Sequence, residues 1–125
     1  MTKRVLLAED EPNIVESLTF ILERSGFQVG VTTTGRQALA EATTETPDIL
    51  ILDVMLPEMD GYEVLRQLRA DERTKTLPVL MLTAKGQRED RETAIACGAD
   101  LFITKPFVNS ELIAAVQQLA GDGSA

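Results

Sequence analysis

The chain has 125 residues, room for one ordinary domain, and its 44% hydrophobic and 26% charged content suits a globular protein rather than a disordered or membrane one. A formal net charge of -8 argues against direct nucleic-acid binding, which needs clustered Lys and Arg to neutralise phosphates. A single cysteine, Cys97, and the absence of histidine exclude internal disulfides, Cys/His zinc sites and His-dependent triads, so any metal must be held by oxygen.

Along the chain, Met1 to Arg4 lead straight into a first apolar run, Val5-Leu6-Leu7-Ala8. With no signal-peptide pattern and no bilayer-length stretch, a cytoplasmic protein without membrane contact is expected. Glu9-Asp10-Glu11 follow, and Pro12 suits the first turn of a helix with an apolar stripe of Ile14, Leu18, Ile21 and Leu22. Taken alone, acids placed just before Pro12 need do no more than favour the positive end of that helix. Gly26 suits a left-handed helix end ahead of a second run, Phe27 to Val31.

The third run, Ile49-Leu50-Ile51-Leu52, ends in Asp53. Pro57 and Gly61 shape the following loop, and Asp60 with Glu63 forms a capping-box pair for the next helix. Val79-Leu80-Met81-Leu82 ends in Thr83-Ala84, Gly98 suits another left-handed helix end, and Leu101-Phe102-Ile103 ends in Thr104-Lys105-Pro106. Cys97 reads as a small apolar residue without a redox task. A last stripe of Leu112, Val116 and Leu119 leaves 1–120 as one domain and 121–125 as a frayed tail or the start of a linker.

Continuous aliphatic runs are expected of strands buried on both faces, as in parallel sheets covered by helices. Their alternation with helical stripes implies an α/β fold, a doubly wound (βα)5 three-layer sandwich with a parallel five-stranded sheet in the order 2-1-3-4-5. Functional groups in such a sheet gather at the carboxyl ends of the strands. That rule brings Glu9, Asp10, Asp53, Thr83 and Lys105 into one crevice. Carboxylates about 5 Å apart repel by roughly 3 kcal/mol at an effective dielectric of about 20, and a divalent cation is the natural compensator. A hard-oxygen set short of protein ligands suits magnesium and leaves positions for phosphate oxygens.

The blocks LLAEDEP, ILDVMLPEMDGYEVL, PVLMLTAKG and GADLFITKPF, in this order and spacing, resemble the signature blocks of response-regulator receiver domains from two-component signalling systems, with a fold like that of the chemotaxis regulator. The resemblance covers nearly the whole chain. It implies a phosphorylation switch rather than a metabolic enzyme, one that catalyses its own phosphoryl transfer and slow dephosphorylation. Asp53 matches the phosphoacceptor, Asp10 the direct metal ligand, and Glu9 the neighbouring acidic position that reaches the magnesium directly or through water. The backbone carbonyl of Met55 matches a further ligand. Lys105 matches the cation that pairs with the acceptor and then with the phosphate, Thr83 the hydroxyl that binds the phosphate, and Ala84 the small residue at its backbone contact. Thr83 and Phe102 match the switch pair, with Phe where Tyr is common, and Lys105-Pro106 matches a cis peptide.

The implied partners are a sensor histidine kinase or histidine phosphotransfer protein on the input side, and a downstream effector protein or domain engaged through the fourth helix, fifth strand and fifth helix. Relatives that precede winged-helix domains pair symmetrically through salt bridges on that face. Arg91 and Glu111 fit one such pair, but Leu101 and Ala115 stand where an acid and an arginine are common. A monomer or weak phosphorylation-dependent dimer is therefore expected, with Leu101 and Phe102 marking a more apolar surface. Rival readings are an aspartate-nucleophile phosphatase, which would carry a second aspartate where Met55 stands, a flavodoxin-type carrier, which would replace the acidic first loop by Ser and Thr, and a receiver that binds partners without phosphorylation.

Overall fold

The computed structural model describes residues 2–83 and 88–121, with backbone alone for 88–91. In chain order the elements are β1 (Arg4–Ala8), α1 (Pro12–Arg24), β2 (Gln28–Thr32), α2 (Gly35–Thr44), β3 (Ile49–Asp53), α3 (Gly61–Arg69), β4 (Val79–Thr83), α4 (Arg88–Cys97), β5 (Leu101–Thr104) and α5 (Asn109–Ala120). The strands form one parallel sheet in the order β2-β1-β3-β4-β5. This is the α/β doubly wound architecture expected from the apolar runs. Every residue of the central β3 and β4 is buried, which is why those segments read as continuous rather than alternating.

Alternation along each strand divides the interior into two cores, one on each side of the sheet. Leu6, Ala8, Leu50, Leu52, Val79 and Met81 face Ala38, Ala42, Val64, Leu65, Leu68 and Ala94 of α2, α3 and α4. Val5, Leu7, Ile49, Ile51, Leu80, Leu82 and Ile103 face Leu18, Leu22, Leu112 and Val116 of α1 and α5. Most of these side chains are wholly inaccessible, and burying each aliphatic one contributes about 1.5–3 kcal/mol.

The strand ends differ by a residue from the apolar runs. Asp53, Thr83 and Thr104 belong to β3, β4 and β5, because ladder bonds are made by the backbone whatever the side chain. Phe27 precedes β2; its N–H donates to Leu22 O at the end of α1 while the ring enters the core. Pro12 opens α1, and Gly26 and Gly98 take φ of 97° and 104° after α1 and α4. The capping box forms on one side. Asp60 Oδ1 accepts from the Glu63 N–H at 3.0 Å, but the Glu63 carboxylate turns to Arg66 and Gln67, at 2.7 Å and 3.0 Å.

Arg69 closes the far end of the α3/α4 layer. Its Nε donates to Gly98 O (3.0 Å), Nη1 to Thr74 O (3.2 Å) and Leu77 O (2.8 Å), and Nη2 to Asp100 Oδ2 (3.0 Å). Asp100 Oδ2 also accepts the Val79 N–H at 2.8 Å. One guanidinium thus ties carbonyls from two loops to the Asp100 carboxylate. Among the described residues no helix is long and apolar enough to cross a membrane. Of the expected tail, 122–125 lie outside the described residues.

Candidate functional site

β1, β3 and β4 stop at the same edge of the sheet, where Glu9, Asp53 and Thr83 are buried although polar. β5 ends one residue before Lys105, whose N–H donates to Thr83 O at 2.7 Å and anchors the lysine beside β4. The Lys105–Pro106 peptide is cis, as the family resemblance implies. From this anchor Nζ lies 3.0 Å from Glu9 Oε1, 3.3 Å from Asp53 Oδ2 and 3.4 Å from Glu11 Oε1. The structure therefore gathers Glu9, Asp53 and Lys105, with Asp10 exposed at the rim and Thr83 at the end of the neighbouring strand.

Backbone donors orient the acids. The Met55 N–H donates to Asp53 Oδ1 at 3.3 Å, and the Glu11 N–H donates to Glu9 Oε2 at 3.1 Å. Each carboxylate thus has one oxygen held by an amide and the other turned toward Lys105. Met55 itself is 69% exposed. Burial pushes the Glu9 carboxyl above its ordinary range and the nearby Asp53 charge adds to this, against the opposing pull of Lys105 and the Glu11 amide. Burial also works against the Lys105 ammonium, but contact with Glu9 and the charge of Asp53 outweigh it and raise its pKa.

One ammonium faces more negative charge than it can offset. Glu9, Asp10 and Asp53 each offer an oxygen within 4.8 Å of the others. Glu9 Oε1 is buried, and among the described residues its contact is the Lys105 ammonium at 3.0 Å, which it shares with Asp53 and Glu11. An oxygen-only donor set with a buried acceptor on a shared ammonium fits a small hard divalent cation, which this cluster could hold.

Phe102 is half-buried, packs on the α3/α4 core, and borders a cavity of about 280 Å³ with Ile95, Ala99, Asp100 and Leu101. By strand alternation Thr83 and Phe102 share the α3/α4 side, whereas Asp53 lies on the α1/α5 side. Ala84 and the Arg91 side chain, expected at the phosphate and at a salt bridge with Glu111, lie outside the described residues.

Two features escaped the sequence reading. Gly61 is the first residue of α3, as a cap at Asp60 requires, but the reason for glycine lies elsewhere: a Cβ there would strike Asp53 O and come within 2.9 Å of Val54 Cα. Its bare backbone is what lets the helix close over the acceptor loop. Glu11 stands at the N-cap of α1 without a side-chain capping bond and reaches Lys105 instead. An exposed acid before a helix carries no sequence signal that separates these two roles.

The sequence matches the family described as the response regulator receiver domain over residues 5–117. It is 44% identical over 119 residues to the alkaline phosphatase synthesis transcriptional regulatory protein PhoP of Bacillus subtilis, covering 95% of this chain and 49% of that one. It is 39% identical over 117 residues to the phosphate regulon transcriptional regulatory protein PhoB of Escherichia coli, covering 94% and 51%. The chain thus spans about half the length of the curated relatives it matches. Among solved structures it resembles the receiver domain of sensor histidine kinase PA1611 from Pseudomonas aeruginosa, which has a magnesium ion coordinated in its active-site cleft, with a TM-score of 0.89, 31% identity and coverage of 97% and 99%. It also resembles the chemotaxis protein CheY4 of Vibrio cholerae, with a TM-score of 0.88, 31% identity and coverage of 95% and 99%.

Proposed function

Because this chain belongs to the response regulator receiver domain family, we propose that it is a phosphorylation-activated switch in which Asp53 accepts a phosphoryl group from a sensor histidine kinase or a histidine phosphotransfer protein. One observation carries the reading: a buried strand-end carboxylate has one oxygen held by the Met55 amide and the other 3.3 Å from a lysine anchored to the neighbouring strand. A carboxylate held in this way is an oriented nucleophile, and positioning with charge neutralisation is most of what phosphoryl transfer requires.

In the proposed step an Asp53 oxygen attacks phosphorus, the bond to the donor breaks, and an acyl phosphate forms. Lys105 then pairs with a phosphate oxygen, and the Thr83 hydroxyl with the Ala84 backbone binds the other oxygens. Glu9, Asp10, Asp53 and the Met55 carbonyl would hold magnesium, which when bound supplies Lewis-acid polarisation and charge neutralisation at the phosphoryl group. Movement of Thr83 toward its phosphate draws on the layer that contains Phe102, which suits a change in partner binding through α4, β5 and α5.

The named relatives are regulators, which supports a signalling switch rather than a metabolic enzyme; promotion of its own phosphorylation and slow dephosphorylation belongs to the same proposal. Met55 offers no acid–base group at the position where an aspartate phosphatase would carry one. The net charge of -8 supports an output through an effector domain or protein, without direct nucleic-acid contact by these residues; the setting proposed for it is the cytoplasm. Leu101 and Ala115, which stand where an acid and an arginine are common in pairing relatives, support a monomer or a weak phosphorylation-dependent dimer. Incubation with acetyl phosphate and magnesium tests the core of the reading. Intact-mass analysis should show one added phosphate, absent in Asp53→Asn; labelling of that variant at the wild-type rate, or labelling undiminished by EDTA, would overturn it.

A further inference from the structure

Lys105 has three carboxylates within ion-pair distance, and they differ in kind. Glu9 is fully buried and Asp53 nearly so, at 0% and 2% side-chain exposure, whereas Glu11 is 61% exposed. Glu9 and Asp53 belong to the acidic cluster itself. Glu11 does not; it meets only the ammonium there, at 3.4 Å. Its position would ordinarily have a different task. As the N-cap of α1 it makes no side-chain capping bond; its backbone carbonyl accepts the Ile14 and Val15 N–H groups, and the carboxylate goes to the lysine. Glutamate has the reach for this; aspartate, one methylene shorter, is better suited to the cap.

We infer that Glu11 is a positioning residue that competes with the incoming phosphoryl group for the Lys105 ammonium and so sets how readily the acceptor site is engaged. The inference rests on the proposed role of Asp53 and Lys105. With Glu11 in place the ammonium is drawn toward the rim, and capture by a phosphate oxygen must break or share that pair. Because Glu11 is exposed and the contact is long, the effect is modest: about two- to fivefold in affinity at low ionic strength, falling as salt rises.

The experiment measures binding of beryllofluoride, a phosphoryl mimic, to the whole chain with saturating magnesium, in wild type, Glu11→Gln and Glu11→Asp. Gln removes the charge and keeps the length; Asp keeps the charge and loses the reach. Neither touches the Glu11 N–H that orients Glu9. Both variants should bind about two- to fivefold more tightly than wild type. In metal-free protein, where no phosphoryl chemistry occurs, both should shift the Lys105 side-chain NMR resonances. Tighter binding by Gln with wild-type binding by Asp would assign the effect to net charge at the rim and overturn the inference. So would unchanged binding and unchanged Lys105 resonances in both. Failure of wild type itself to bind the mimic would overturn the proposed function and the inference with it.

Discussion

Replacing Asp10 by Asn should make the metal-free protein more stable while removing most of its response to magnesium. Carboxylate oxygens of Glu9, Asp10 and Asp53 lie within 4.8 Å of one another. Two unit charges at that separation repel by about 3.5 kcal/mol at an effective dielectric of about 20. Asp10 is exposed, so water screens its share and the net penalty is about 1–2 kcal/mol. It is also the informative member of the three, because the Lys105 ion pairs among the described residues go to Glu9, Glu11 and Asp53. Neutralising Asp10 therefore relieves repulsion without breaking a pair. Urea melts in chelator should show Asp10→Asn more stable by about 1–2 kcal/mol, a rise in Tm of about 3–8 °C. Melts in saturating magnesium should reverse the order, since ligand binding stabilises only the protein that binds. A variant no more stable than wild type in chelator, or one stabilised by magnesium as much as wild type, would refute the reasoning.

Gly61→Ala should cost about 1–3 kcal/mol and slow acetyl-phosphate labelling of Asp53 more than tenfold, since the added methyl drives into Asp53 O and displaces the acceptor loop; a variant that labels at the wild-type rate would show that α3 can yield without moving Asp53. Arg69→Met keeps the aliphatic stem but deletes donors to Gly98, Thr74, Leu77 and Asp100, and should lower stability by about 2–4 kcal/mol in urea melts, with a loss under 0.5 kcal/mol contradicting the proposed closure. The Arg73 side chain, with help from its N–H, holds the Asp71 carboxyl down at about 2. A depressed carboxylate pKa gives stability that is present above the unfolded value of 3.8 and is lost as pH falls through about 2. Carbon-detected NMR titration should place the Asp71 midpoint near 2 and return it toward 3.8 in Arg73→Gln; a wild-type midpoint near 4 would remove the pair.

The fold was legible because a parallel sheet covered on both sides forces its strands to be apolar throughout, and Ile49–Leu52 and Val79–Leu82 have no other reading at that length. Asp53 and Thr83 stood out for the same reason, as the polar residues that end such runs; the family resemblance then assigned their roles. Glu11 and Gly61 were legible as residues but not in their tasks. What distinguishes Glu11 is a 3.4 Å contact with a residue near the other end of the chain, and what distinguishes Gly61 is the carbonyl of Asp53 across a folded loop. Arg69 gave no signal at all, because four of its hydrogen-bonding contacts include three with backbone carbonyls, which have no side-chain identity to read. Glu63 misled in the opposite direction: its spacing from Asp60 suits a reciprocal cap, but Arg66 and Gln67 one turn on are charge-assisted and amide donors that win its carboxylate.

The two cores share no residue, since each strand side chain belongs to one side of the sheet or the other. Asp53, with Ile49 and Ile51, falls on the side of α1 and α5, while Thr83 and Phe102 fall on the side of α3 and α4. The α4 part of the proposed output face therefore rests on one core and its α5 part on the other, so either can be reshaped without repacking beneath its neighbour. Substitutions that retool the α4 shell for a new listener need not be compensated under α1, and the reverse holds equally. Grafting the surface of α4 from one such chain onto another should accordingly leave the packing beneath α1 and α5 undisturbed.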